Sequence, residues 1–155
     1  MTSHPFRISA YRKYLSVLLL LSVGLFSHSQ DTTLTVISNI KGAPSEMKLS
    51  ELRSVLMGER QRWSDGTKVT IVLMKTTTSI GKNTCDKVYK KSGDRVNLLW
   101  RKLVFEGKAD PPKFCNSEAE LLSAIAENSG TIGIIGKFSD TPNIKVVSIN
   151  GKKTL

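Results

Sequence analysis

Histidine is almost missing from this chain: His4 and His28 are the only two, and both fall within the first 29 residues. Once that leader is removed, no imidazole is left for a Ser-His-Asp triad, a metal site or a proton switch near neutral pH. Cysteine is equally scarce. Cys85 and Cys115 are the only two; they do not form a Cys-x-x-Cys pair, and two thiols without histidines cannot build a structural zinc site. No group of Asp and Glu has the spacing of a calcium or magnesium loop. No metal and no cofactor are expected, and with no nucleophile beside a base the chain reads as a non-enzyme without catalytic residues. A basic segment interleaved with aromatics is also lacking, which argues against nucleic acid as a partner.

Long apolar runs are few. One runs from Tyr14 to Phe26, after Arg7, Arg12 and Lys13 and before the small-residue stretch Ser27-His28-Ser29. It is shorter than the ~20 residues a spanning helix needs. The pattern reads as a secretory signal peptide over residues 1–29, cleaved after Ser29, with an uncleaved anchor as the alternative. The remaining domain, residues 30–155, would be periplasmic or secreted, large enough for one core and short for two. Three of the 23 Lys and Arg and none of the 13 Asp and Glu lie in the leader, so 20 against 13 leaves the domain at +7. That balance favours encounter with anions such as phosphate, acidic polymers or membrane surfaces. Much of it, Lys87, Lys90, Lys91, Arg95, Arg101 and Lys102, is spread over two predicted helices, as a solvated face or a functional one. An oxidising compartment leaves two states open for Cys85 and Cys115. A bridge would close a loop of about 30 residues and contribute ~3–4 kcal/mol in the chain-entropy model; the alternative is two buried thiols.

Strands and helices alternate along the domain. Leu34 to Ser38 and Val69 to Met74 read as strands, Ile132 to Ile135 as a buried one, and Lys145 to Ile149 as the last. Ser50 caps a short helix ended by Gly58, Val96 to Val104 is amphipathic, and Ser117 with Glu120 forms a capping box. This order predicts an α/β sandwich. Between the strand ending at Met74 and the next helix lies the turn Lys75-Thr76-Thr77-Thr78-Ser79-Ile80-Gly81-Lys82-Asn83-Thr84. Unpaired amides at a helix start carry the positive end of its dipole, and hydroxyl and basic side chains beside them add donors. The candidate ligand-binding residues are Lys75, Thr78, Ser79, Gly81, Lys82, Asn83 and Thr84, with a plain helix cap as the bland alternative. Trp100 reads as core, and Trp63 either packs the lobe or lines a ligand cleft. Ser38 and Asn39 end the first strand, either beside a ligand edge or as a turn cap.

The order of these pieces is informative in itself. Leu49 to Gly58, Trp63-Ser64-Asp65-Gly66, the hydroxyl-rich turn, Trp100, Phe105-Glu106-Gly107, Pro111-Pro112 and Asn128-Ser129-Gly130-Thr131-Ile132-Gly133-Ile134 follow one another. Together they resemble the substrate-binding component of phosphate ABC transporters, over roughly Leu34 to Ile149. The resemblance implies a single lobe of a type II periplasmic-binding-protein-like fold, with a central mixed sheet flanked by helices. It also implies phosphate or a similar small oxyanion at the turn. The carboxylate that this family sets in the turn to accept the phosphate proton has no counterpart at Thr76, Thr77 or Thr78. A homodimer could supply the missing second wall. The competing function is a ligand-free interaction or scaffold module with an envelope protein partner.

Overall fold

Three runs rich in β-branched residues form the centre of the molecule, because such side chains pack well on a pleated surface covered on both faces. In the computed structural model, which describes residues 33–155, the strands are β1 (Thr35–Asn39), β2 (Glu46–Met47), β3 (Thr70–Met74), β4 (Lys113–Cys115), β5 (Thr131–Ile135), β6 (Ile144–Val146) and β7 (Ser148–Ile149). The helices are α1 (Leu49–Leu56), α2 (Ser79–Thr84), α3 (Gly93–Phe105) and α4 (Glu118–Glu127), and a π-helical turn, Cys85–Tyr89, continues α2. The expected signal peptide, residues 1–29, lies outside the described residues. Thr32–Leu155 is a compact unit with its own core.

Five strands make a mixed sheet in the order β4-β3-β5-β1-β6, and β2 and β7 make a separate parallel pair. Within the large sheet β3 is parallel to β4 and β5, while β1 is antiparallel to both of its neighbours. Met74, Cys115 and Ile135 therefore finish at one edge, where β1 begins. Two hydrogen bonds tie this edge together: Thr35 Oγ1 donates to the Gly136 carbonyl at 3.0 Å and the Lys75 amide to the Cys115 carbonyl at 3.0 Å. This is the predicted α/β architecture with a mixed sheet flanked by helices.

The two tryptophans are core. Trp63 is 3% exposed and donates to the Gly130 carbonyl at 2.8 Å; Trp100 is buried on the inner face of α3 with its indole N–H 3.1 Å from the Tyr89 hydroxyl. Each ring removes a large apolar area from water while its one donor is satisfied. Ser38 and Asn39 sit at the opposite edge from the turn, because β1 runs against β3. Asn39 is a cap: its side-chain amide donates to the Ile125 and Ala126 carbonyls at 2.9 and 3.0 Å, and its Oδ1 accepts from the Lys41 amide.

Several boundaries differ from the sequence reading for tertiary reasons. α1 starts at Leu49, one residue before Ser50, because Asn150 Oδ1, remote in sequence, accepts from the Leu49 amide at 3.1 Å and Glu51 accepts from the Lys48 amide at 2.8 Å. α3 starts at Gly93, three residues before the amphipathic run from Val96, and a Cβ at that glycine would lie 2.9 Å from Thr76 Cβ. The last strand is two, since β6 pairs with β1 and β7 with β2. The π-helical turn was not anticipated. It ends at Lys90, whose φ is 54°, and Arg53 Nε donates to the Val88 carbonyl at 2.9 Å, supplying a donor that the helix end lacks.

At Gly133 a Cβ would meet the Val72 carbonyl oxygen at 2.6 Å and Ile125 Cδ1 at 2.8 Å. Thr32–Leu155 is expected to unfold in one cooperative denaturant transition, and Gly133→Ala to destabilise it by about 1–3 kcal/mol through overpacking. An unchanged midpoint in the variant would contradict the close approach of β5 to β3.

Candidate functional site

The turn between β3 and α2 lies at the edge where the three parallel strands finish, the edge where open α/β sheets hold ligands. Its backbone is fixed by one carbonyl. Lys75 C=O accepts from the Thr78 amide at 2.9 Å and from the Thr78 hydroxyl at 2.8 Å, and that same hydroxyl accepts from the Gly81 amide at 3.0 Å. Gly81 is required by packing: a Cβ would lie 2.0 Å from the Lys75 oxygen. The Lys82 amide donates to the Thr78 carbonyl at 2.9 Å. The Ser79 and Ile80 amides, first in α2, have no acceptor among the described residues.

The seven sequence-derived candidates therefore divide. Lys75, Ser79 and Lys82 are exposed around the turn. Thr78 is the helix cap, with its hydroxyl committed in both directions, and Gly81 is buried with its amide taken by that cap. Asn83 folds back, its side-chain amide donating to the Ser79 carbonyl at 2.9 Å. Thr84 is 4% exposed and its hydroxyl donates to the Ile80 carbonyl at 2.8 Å, so it faces the interior. The hydroxyls that made the turn look anion-specific are in large part its scaffold.

Two neighbours were missed. Glu118, in the first turn of α4, brings Oε1 to the space over Gly136, within 3.6 Å of where a Cβ on that glycine would stand, beside Ile80 Cδ1 at 3.4 Å. It has no ion-pair partner among the described residues. The legible signal was its position just after β4, whose end must lie beside that of β3 if the two are parallel. The start of α3 is the second. Asn97 Nδ2 donates to Thr76 Oγ1 at 3.2 Å and Gly93 packs on Thr76, so the basic loop Lys90-Lys91-Ser92 adjoins the turn. With Asp86 and Arg95 that loop lines a shallow depression.

A small, partly open pocket of about 130 Å³ lies elsewhere, near the beginning of β3, lined by Arg60, Gln61, Trp100 and Pro111 among others and bordered by the Lys68–Asp110 ion pair at 2.6 Å. In the turn itself Lys75, Thr77, Ser79 and Lys82 are exposed. No group of three or more His, Cys, Asp or Glu among the described residues could hold a metal ion, and no helix among them is long and apolar enough to cross a membrane.

Of the two states left open for the cysteines, the structure holds the unbridged one: Cys85 and Cys115 are free and buried. Burial, reinforced by Asp86, pushes the Cys85 thiol up to about 11, and burial followed by the Glu120 charge raises Cys115. Both are neutral thiols at neutral pH and poor nucleophiles. Burial likewise keeps the Tyr89 hydroxyl protonated well beyond its ordinary range. Glu120 is held below the usual carboxylate range, first by the Asn116 amide hydrogen bond and with help from Lys113.

The fold and this edge define a class: one α/β lobe whose parallel strands end on a helix-opening turn. Solved structures place it further. The chain is similar to an ABC-type phosphate transport receptor from Vibrio cholerae, with TM-score 0.61, 13% identity, and 84% of this chain and 55% of that one covered. It is also similar to PstS from Borrelia burgdorferi, with TM-score 0.57 and 17% identity over 79% of this chain and 52% of that one. The likeness is one of fold, and the chain spans about half the length of these receptors. No family model and no curated protein matches the sequence.

A thiol reagent added at pH 8 is expected to leave both cysteines unmodified in the folded domain and to label both once denatured. Two fast-reacting native thiols would contradict the burial; none after denaturation without reductant would show a bridge.

Proposed function

We propose that the domain binds a small oxyanion, phosphate in the first instance, at the β3–α2 turn. One observation carries this reading: two unpartnered amides, Ser79 and Ile80, open a helix at the common end of three parallel strands, with the Ser79 hydroxyl and the Lys75 and Lys82 ammonium groups exposed around them. Such amides attract an anion and the lysines raise its local concentration. The fold shared with phosphate receptors supports the same ligand class. Thr78 and Gly81 hold the turn in shape, and Asn83 buttresses Ser79. Glu118 is assigned the carboxylate role that the turn itself lacks: it accepts a hydrogen bond from the O–H of hydrogen phosphate, a donor that sulfate lacks.

The leader over residues 1–29 would deliver the domain, Gln30–Leu155, to the periplasm or the medium. A lobe half the length of the matched receptors leaves the ligand open on one side, and a second copy would close it. The second reading, a ligand-free scaffold for an envelope protein, is favoured by the commitment of Thr78, Gly81, Asn83 and Thr84 to internal hydrogen bonds.

Calorimetric titration of phosphate, with sulfate as competitor and the molecular mass measured on the same sample, separates the two. Saturable phosphate binding is expected, weakened by about tenfold or more in Ser79→Ala with Lys82→Ala, since a hydrogen bond to a charged group contributes about 1.5–3 kcal/mol. Glu118→Gln is expected to narrow the preference for phosphate over sulfate. Unchanged affinity in the double variant would remove the site, and no heat from a well-folded sample would favour the scaffold.

A further inference from the structure

The outer face of α3 carries exposed apolar side chains among the described residues. Phe105 is 93% exposed, Leu98 is 59% exposed and Val104 is 40% exposed. Leu98 and Phe105 are seven residues apart in one helix, two turns along the same face. Arg101 stands between them at the intermediate turn, and Arg95 and Lys102 flank the stripe. The inner face is spent on the core through Val96 and Trp100. Beside the helix an apolar groove of about 550 Å³ runs past Val104 to Pro111, Pro112 and Phe114.

From this face we infer a docking surface for an anionic lipid bilayer, with Phe105 and Leu98 entering the boundary between headgroups and acyl chains and the cations meeting lipid phosphates. Charge complementarity selects this occupant. Arg95 and Arg101 have no ion-pair partner among the described residues, and the acid nearest Phe105, Glu106, is already engaged by Lys108 at 2.8 Å and Lys102 at 3.9 Å. Asp94, at the far end of the helix, is the one acid within α3. A basic face bearing an aromatic and a leucine is the pattern of helices that lie in a membrane interface. A second copy is disfavoured because a two-fold pairing of this face sets Arg101 and Lys102 against their own counterparts. An acidic protein segment would need a recess for Phe105, whereas a ring that stands proud of the surface suits a deformable medium.

The test uses Thr32–Leu155, which carries its own core and omits the leucine-rich leader. Vesicles of phosphatidylcholine alone are compared with vesicles containing equal parts phosphatidylcholine and phosphatidylglycerol, by co-sedimentation at low and high salt. The anionic vesicles are expected to bind at least about tenfold more tightly, with salt weakening the binding. Leu98→Ser with Phe105→Ser keeps the charge and should lose most of that affinity; Arg95→Glu with Arg101→Glu should abolish the preference. Inorganic phosphate at saturation should not displace the protein, which separates this face from the β3–α2 turn. Equal binding by the Ser variant, no preference for anionic vesicles, or self-association that the Ser variant abolishes would each overturn the inference.

Discussion

The Lys75 carbonyl is the point on which the candidate site depends. It takes two hydrogen bonds from Thr78, one from the amide and one from the hydroxyl, while that hydroxyl receives the Gly81 amide. Three residues are thereby held in one geometry before the helix has made a full turn. Gly81 is part of the arrangement, because any side chain would strike the carbonyl at 2.0 Å. A loop closed this tightly has little conformational freedom left to lose when a ligand arrives. It also decides which amides stay available: the cap consumes Gly81 and leaves the Ser79 and Ile80 amides without an acceptor among the described residues.

The rest of the fold supplies the position of that turn. Parallel pairing of β3 with β4 and β5 gathers the strand ends, and the Lys75 amide, bonded to Cys115, locks the turn to its neighbour. α3 presses on the turn from the side through Gly93 and Asn97. α4 opens from the same edge and brings Glu118 toward Gly136. Sheet, turn and two helix starts therefore meet where Lys75 and Lys82 are exposed and Glu118 has no ion-pair partner among the described residues. The opposite edge is spent on structure, with Asn39 capping α4 and Trp63 bonded to Gly130.

Much of this was legible in the sequence, and the boundary of legibility has physical causes. The strands β1, β3 and β5 announce themselves because β-branched runs bounded by turn residues have few alternatives. The amphipathic α3 and the Ser117 cap of α4 are equally local signals. What failed was what depends on distant partners. Lys48 can start α1 only because Asn150 reaches its first amide, and Gly93 opens a helix only because Thr76 leaves no room for a side chain. Thr84 looked like a ligand donor because a hydroxyl near a helix start is ambiguous until its burial is known. Glu118 has a legible place just after β4, but its approach to Gly136 follows only once β4 is paired with β3, since the acid comes from another element. The cysteines show the same limit: spacing permits a bridge, and only the fold decides that both thiols are buried and free.

The central claim is that the two open amides of the β3–α2 turn are the anion contact. Amide-resolved proton–nitrogen spectra of the domain during a phosphate titration test it residue by residue. The account predicts that the Ser79 and Ile80 signals shift together and saturate, with smaller movement at Lys82. It predicts that the amides around Asn39 and Gly130 at the far edge stay in place. Stationary Ser79 and Ile80 signals, with or without shifts elsewhere, would contradict it.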